Sequence, residues 1–213
     1  MKFEYELDPL AIERKSFQRI RQSTNLEPFS LDEQQVVMRI VHSMGLPDVA
    51  QHVRFSANAC HTIRTALVNK ANILCDVEMV KQGLTKRMLS KEPLCYLNHQ
   101  ETAQLAKSKG ETRSMAALAL WEPHLANSIV VIGNAPTALF RLLEMLSQGA
   151  PKPAAIIGMP VGFVGAAESK QALWDNHQEL GIECITLLTQ MGGSAVTAAS
   201  CNALMRCNLD EYY

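Results

Sequence analysis

Arg39 and His42 are two side chains suited to ion pairing and proton transfer, and they lie three residues apart in a segment with helical periodicity. Residues at this spacing share one face of a helix, so Arg39 and His42 can reach the same object. Histidine exchanges protons near neutral pH, and the last turn of a helix favours its charged form. The pair can therefore act on one ligand. A solvated histidine that stabilises a helix end is the simpler alternative.

Three glycine-bearing turns form a second group, because each stands between a predicted strand and a predicted helix. Helix N-termini present unpaired N–H groups and a partial positive charge, and in an open parallel sheet they meet at the carboxyl ends of the strands. The turns therefore predict positions that bind an anionic ligand, although glycines that only turn the chain remain the alternative. The residues concerned are Gly133 with Asn134, the loop from Gly158 to Gly165, and Gly192, Gly193 and Ser194.

The same turns lack the motifs that bind nucleotides. The chain contains no G-x-x-x-x-G-K-[ST] sequence, and Gly162-Phe163-Val164-Gly165 does not match the G-x-G-x-x-G fingerprint. A nucleotide-dependent oxidoreductase is therefore not favoured.

Three further polar residues each allow a structural and a functional interpretation. Ser16 lies in the middle of a predicted helix, where a serine is usually solvated or bonded to the backbone. Asp76 follows the predicted strand Ile73–Cys75 and is either a carboxylate aimed at a ligand or, as we favour, a helix cap. Arg113 follows a Thr112 cap, which is both a suitable place to bind a carboxylate and a common surface position.

Composition excludes several classes of protein. The 213 residues carry 20 Lys and Arg against 21 Asp and Glu, so no bulk charge indicates a nucleic-acid or lipid-surface partner. The six cysteines show no metal-ligand spacing and are expected to be reduced core residues of a cytoplasmic protein. No apolar run has the length of a signal peptide core or a membrane span, so we expect a soluble protein that is not exported.

The elements that must position these residues follow from caps and periodicity. Asp8-Pro9 predicts the start of a helix that ends near Gln22, and Ser30 with Glu33 predicts a second helix that ends at Gly45. Ser56 is expected to cap a third helix. Residues 101–109 and 112–125 are expected to be helical, and Asn208 to Tyr213 to be a frayed tail.

Short apolar runs alternate with these helices. Strands are predicted at residues 53–55, 73–75, 94–97, 129–132, 154–157 and 184–188, with helices after the turns at Pro136, Ala166 and Ser194. Alternating strands and helices predict an α/β protein, a three-layer α/β/α sandwich with a mostly parallel, doubly wound (Rossmann-like) sheet. We expect residues 1–213 to form one domain, with the N-terminal helices at 8–45 packed on the α/β core.

Seven segments in a fixed order carry a resemblance to a known family. The chain resembles the precorrin-8X methylmutases, also called cobalt-precorrin-8 methylmutases, of cobalamin biosynthesis, over nearly its whole length. The segments are ERKSF at 13–17, MRIVHSMG at 38–45, ILCDVEMV at 73–80, ETRS at 111–114, GNAPTALF at 133–140, GAPKPAAIIGMPVGFVGAAESK at 149–170 and GGSAVTAA at 192–199. The chain departs from the family pattern at Lys15, which stands between Arg14 and Ser16. The alignment of Ser16 with the family serine therefore depends on the neighbouring residues AIER and SF.

The resemblance implies a cofactor-free isomerase that moves a methyl group from C-11 to C-12 of a tetrapyrrole, giving hydrogenobyrinate or its cobalt counterpart. It implies that His42 is the catalytic acid and base and that Ser16 and Arg39 bind the substrate. Thr85, Arg113 and the glycine turns are assigned to the same pocket. The resemblance further implies a homodimer with active sites at or near the subunit interface.

A corrinoid carrier or sensor that binds without reacting is the alternative function. Such a protein would not need His42, whereas the mutase would.

Overall fold

The computed structural model describes residues 1–213 and contains one five-stranded sheet with the strand order β1-β5-β4-β3-β2. The strands are β1 (Val53–Phe55), β2 (Ile73–Cys75), β3 (Ile129–Ile132), β4 (Ala155–Gly158) and β5 (Glu183–Leu187). Strands β2 to β5 pair in parallel, and β1 pairs antiparallel to β5 at the sheet edge. The prediction of a mostly parallel sheet is confirmed.

Helices cover both faces of this sheet. They are α1 (Pro9–Ser23), α2 (Leu31–Met44), α3 (Ala59–Val68), α4 (Glu78–Gly83), α5 (Gln100–Lys109), α6 (Arg113–Ala117), α7 (Glu122–Leu125), α8 (Pro136–Ser147), α9 (Ala166–Leu180) and α10 (Ser194–Cys207). Alternate residues of β3 belong to two buried clusters on opposite faces of the sheet. Val131 packs toward α1 to α4 and α10, and Val130 packs toward α7 to α9. The protein is therefore the expected three-layer sandwich.

The first two helices begin and end where the sequence predicts. The Asp8 carboxylate accepts a hydrogen bond from Leu10 N–H at 3.0 Å, and the Glu33 carboxylate accepts one from Ser30 N–H at 2.7 Å. Gly45 ends α2 in the left-handed conformation with a φ of 65°.

Helix α10 packs along α2 in the antiparallel sense and fixes where the end of α2 lies. The Arg64 guanidinium joins the two helices, since it bonds Asp32 at the start of α2 and the Cys207 carbonyl at the end of α10. Because α10 begins at the carboxyl edge of the sheet, the other end of α2, which carries His42, lies toward that edge. The His52 carbonyl accepts a hydrogen bond from Leu188 N–H at 2.9 Å and ties the chain after α2 to the same edge.

Two predicted elements in the first half of the sheet layer differ from the structure. Ser56 does not cap α3, which starts after Asn58; its hydroxyl instead donates to Glu183 and accepts from Cys184 N–H. The strand predicted at residues 94–97 is reduced to one bridge, in which Leu94 pairs with Leu74. That strand was predicted only from the apolar character of residues 94–97. In the structure, Leu94 is the one residue of this run that pairs with a neighbouring strand.

The helix predicted at residues 112–125 is broken into α6, a 3₁₀ turn at Leu118–Leu120 and α7. Its cap is confirmed, because the Thr112 hydroxyl accepts a hydrogen bond from Met115 N–H at 3.2 Å. Pro123 explains the restart at α7, where it occupies the first turn.

The C-terminal residues form a docked segment, so the expectation of a frayed tail is wrong. Tyr213 N–H donates to the Gln35 side chain at 2.9 Å, and the Tyr212 hydroxyl donates to Asp32 at 3.0 Å. The Tyr213 ring stacks on Phe17. These partners lie on α1 and α2, which the sequence places far away, and tail composition does not reveal them.

No helix of the protein combines the length and apolar character needed to cross a bilayer.

Candidate functional site

The N-terminal helices bring Ser16 and His42 together. Ser16 Oγ lies 3.1 Å from His42 Nδ1, and the two residues are 26 positions apart in the chain. The neighbouring Phe17 ring stacks on the imidazole with centroids 5.2 Å apart and an interplanar angle of 12°. Nδ1 is thus occupied and the ring plane is supported, while Nε2 has no partner within the protein. The structural interpretation, in which Ser16 is solvated or bonded to the backbone, is not met.

Ser16 and His42 line an open cavity of about 740 Å³. Lys15 and Arg19 also line it, and Glu6 is the only carboxylate among its lining residues. The cavity combines a proton-exchanging imidazole with an excess of positive charge, which suits an anionic ligand. A volume of this size is within the usual range for small-molecule sites.

Lys15 and Arg19 are cavity residues that the sequence analysis missed. The signal was present, because Lys15 adjoins Ser16 and Arg19 follows Ser16 by one helical step.

Arg39 lies near this pair but does not share its cavity. Its guanidinium donates to Glu13 at 3.1 Å and to the Tyr213 hydroxyl, and it lies over the Phe17 ring at 4.9 Å. Burial, and then the nearby Arg206, lower the pKa of Arg39 from its ordinary value, while Glu13 opposes this shift. Helical spacing correctly places Arg39 and His42 against a common residue, Phe17. It did not reveal that the chain itself occupies the Nη2 donors of the arginine, while Nε is buried without a partner.

The second and third glycine turns form a double loop at the carboxyl edge. Gly193 N–H donates to the Met159 carbonyl at 2.9 Å, and Gly162 N–H donates to the Gln190 carbonyl at 3.2 Å. Gly192 allows this contact, because a Cβ atom there would lie 2.2 Å from the Met159 oxygen. Gly165, at a φ of 77°, then starts α9 in a conformation that favours glycine.

The first glycine turn binds a carboxylate of the chain itself. Asp76 accepts hydrogen bonds from the N–H groups of Gly133 at 3.0 Å, Asn134 at 2.8 Å and Ala135 at 2.9 Å. Burial raises the pKa of Asp76, and these three hydrogen bonds oppose that shift.

Both sequence interpretations of Asp76 are therefore wrong. It neither faces a ligand nor caps α4, whose cap position is Val77. The donor role predicted for Gly133 and Asn134 N–H groups is likewise not met, because Asp76 occupies them. The Asn134 side chain remains exposed at this edge.

Thr85, Arg113 and Ser194 lie outside the His42 cavity. Thr85 N–H donates to Asn202 on α10 at 2.9 Å, and the Ser194 backbone packs where a Gly133 side chain would be. Arg113 donates to the Leu97 carbonyl at 2.9 Å and the Asn98 side chain at 2.7 Å. The predicted residues thus do not meet in one cavity: Ser16 and His42 share theirs, and the other predicted residues lie outside it.

Comparison with known proteins identifies the family of this chain. The family model described as precorrin-8X methylmutase matches residues 11–207. A precorrin-8X methylmutase from Sinorhizobium sp. is 48% identical over 206 residues, covering 96% of this chain and 97% of that protein. A cobalt-precorrin-8 methylmutase from Salmonella typhimurium is 39% identical over 177 residues, covering 80% and 79% of the two chains.

Structural similarity agrees with the sequence matches. The crystal structure of a precorrin-8X methyl mutase from Thermus thermophilus superposes with a TM-score of 0.84 at 36% identity, covering 94% of this chain and 96% of that one. The chain belongs to the precorrin-8X methylmutase family, a family of isomerases.

Proposed function

We propose that residues 1–213 act as one methylmutase domain that moves the C-11 methyl group of precorrin-8 to C-12 and yields hydrogenobyrinate. The observation that carries this proposal is the Ser16–His42 pair, 3.1 Å apart in a cavity with cationic walls. The pair offers a proton-transfer group, which an acid-assisted intramolecular rearrangement uses.

His42 acts as the acid and base in this mechanism. In the imidazolium, Nδ1–H donates to Ser16 Oγ and Nε2–H is free to donate to the macrocycle. Protonation weakens the bond from the migrating methyl group to C-11, and the proton returns to Nε2 once the bond to C-12 has formed. The reaction consumes no net proton, and acid catalysis of this kind contributes about 10²- to 10⁴-fold to the rate.

Binding relies on charge around an apolar macrocycle that carries acetate and propionate groups. Lys15 and Arg19 provide cations beside His42, and the free N–H groups at the carboxyl-edge turns provide neutral donors. Arg39 binds a substrate carboxylate in this proposal only when it exchanges its contacts with Glu13 and Tyr213 for that carboxylate.

The cobalt-free substrate is the one we propose. Identity is 48% to the relative named precorrin-8X methylmutase and 39% to the Salmonella cobalt-precorrin-8 methylmutase. Proteins that share a substrate are expected to retain more of the same pocket residues.

A homodimer with sites at or near the interface is part of the proposal. The N-terminal segment exposes Phe3, Tyr5 and Leu7, and Glu6 from the same segment lines the His42 cavity. A second subunit that covers these apolar side chains would also close the open side of the cavity.

We assign the protein to the cytoplasm. All six cysteines are free, and burial raises the pKa of the Cys201 thiol to about 12 and that of Cys95 to about 11. Protonated thiols in the core suit a reducing compartment.

The deciding experiment is incubation of the purified protein with precorrin-8 or cobalt-precorrin-8, in buffer that contains a chelator and no nucleotide. Visible spectra should show conversion of precorrin-8 to hydrogenobyrinate and slower conversion of the cobalt form. Binding of hydrogenobyrinate without conversion of either substrate would indicate a carrier instead.

A further inference from the structure

Lys170 is a fully buried cation for which the chain provides no counter-ion. Its exposed fraction is 0%, and it belongs to no salt bridge within 4.0 Å. The Nζ atom makes one hydrogen bond, donating to the Met191 carbonyl at 2.5 Å. An ammonium has three N–H donors, so two of them have no partner in the protein.

This arrangement is costly for the free protein. A buried charge is normally paired, and an apolar side chain of similar volume usually gives equal or better stability. Burial lowers the pKa of Lys170 to about 8, and no neighbouring charge offsets that shift. Packing therefore does not explain why a lysine occupies this position.

The single bond of Lys170 lies at the third glycine turn, beside the start of α10. The N–H groups of Gly192, Ser194 and Ala195 there have no acceptor in the protein. Helix α10 has 14 residues, and its dipole adds partial positive charge at this end. The buried ammonium and the unpaired N–H groups both favour an anion in one place.

Lys170 also orients the turn. In a trans peptide the C=O and N–H groups point in opposite directions, and the Met191 C=O and Gly192 N–H share one peptide unit without any cis bond. Because Nζ holds the Met191 carbonyl toward the protein interior, the Gly192 N–H is directed away from it.

We propose that Lys170 is a positioning residue for a substrate carboxylate, which binds the free N–H groups at the start of α10 and supplies the counter-charge that the chain lacks. The inference rests on the proposed function in naming a tetrapyrrole polycarboxylate as the ligand. The carboxylate bonds Gly192 and Ser194, and Lys170 acts on it through the Met191–Gly192 peptide and through its charge.

The variants Lys170→Met and Lys170→Gln test this assignment, with Lys107→Met on the exposed surface of α5 as the matched control. Titration with hydrogenobyrinate should show a Kd at least tenfold higher for both Lys170 variants and an unchanged Kd for the control. The kcat at saturating precorrin-8 should fall less than the affinity does. The urea midpoint of ligand-free Lys170→Met should equal or exceed that of the wild type, because an uncompensated charge has been removed.

Either of two results would overturn the proposal. A Kd for Lys170→Met within twofold of the wild type would show that the ammonium does not serve binding. A clearly lower urea midpoint for Lys170→Met would show that the charge is already compensated in the free protein. Failure of the wild type to convert precorrin-8 would refute the proposed function but not the anion site. In that case citrate, a small polycarboxylate, tests the anion site alone. Citrate should raise the Tm of the wild type more than that of Lys170→Met.

Discussion

Ser16 Oγ lies 3.1 Å from His42 Nδ1 and joins the first two helices of the protein. This contact decides which imidazole nitrogen faces the cavity, because it occupies Nδ1 and leaves Nε2 free. A hydrogen bond to one ring nitrogen fixes the orientation and the proton position of the other. The main role of Ser16 is therefore to orient His42. Any contact of Ser16 with the substrate is additional to that role.

Replacement of Ser16 by alanine should lower kcat about tenfold, which corresponds to about 1.4 kcal/mol of transition-state stabilisation. Hydrogenobyrinate should bind with a Kd close to that of the wild type, because the cationic side chains of the cavity remain. Single-turnover rates and absorbance titrations measure the two quantities. The Ser16→Thr variant retains a hydroxyl and should recover most of the rate; equal loss in both variants would argue against the hydrogen bond.

Replacement of Asp76 by asparagine should reduce the free energy of unfolding by about 2 to 3 kcal/mol. The carboxylate accepts three backbone N–H bonds at the start of α8, and an amide presents one NH₂ group where an acceptor is needed. Urea unfolding measures the loss. The matched variant Asp175→Asn, on an exposed part of α9, should change stability little. An unchanged midpoint for Asp76→Asn would show that the turn does not depend on the charge.

The buried Lys170 should make stability rise with pH. Its folded pKa of about 8 lies below the ordinary value of 10.5, so between these values the unfolded chain binds the extra proton. The free energy of unfolding then increases as pH rises from about 8 to 10.5, by at most about 3 kcal/mol. Comparison with Lys170→Met isolates the effect: the stability difference between variant and wild type should shrink across this window. A constant difference would contradict the burial of an unpaired ammonium.

Light scattering across a dilution series should give twice the chain mass of 23.5 kDa. The exposed Phe3, Tyr5 and Leu7 are the side chains that we expect a second subunit to cover. The Tyr5→Glu variant should weaken the dimer and raise the KM, since the cavity would lose a wall. A wild-type chain that is monomeric and fully active at low concentration would contradict the interface proposal.

Local sequence signals predicted much of the fold correctly. Caps and helical periodicity located α1 and α2, because Asp8, Ser30 and Gly45 each act on backbone groups within a few residues. Short β-branched runs located β2 and β3 and favoured a parallel sheet, since both faces of such strands are buried.

Several mispredicted residues have partners that lie far away in the chain. Asp76 bonds a turn 57 to 59 positions away, and Tyr213 bonds Glu13 across 200 positions. A local cap and a frayed tail were the expected states because those interpretations use only neighbouring residues. For Arg39, helical spacing identifies the face on which it lies, and only the folded chain shows that Glu13 and Tyr213 already accept hydrogen bonds from its Nη2.

The most direct test of the mechanism is single-turnover conversion of precorrin-8 by His42→Ala, with His42→Asn as a companion that keeps polarity and approximate size. Loss of a general acid should reduce the rate by about 10²- to 10⁴-fold, while the Kd for hydrogenobyrinate changes only a few-fold, since the proton contact is made chiefly in the transition state. The absorbance of the product reports both the conversion rate and the binding of hydrogenobyrinate. If His42→Ala converted precorrin-8 within a few-fold of the wild-type rate, His42 would be a structural residue and the proton would come from another group.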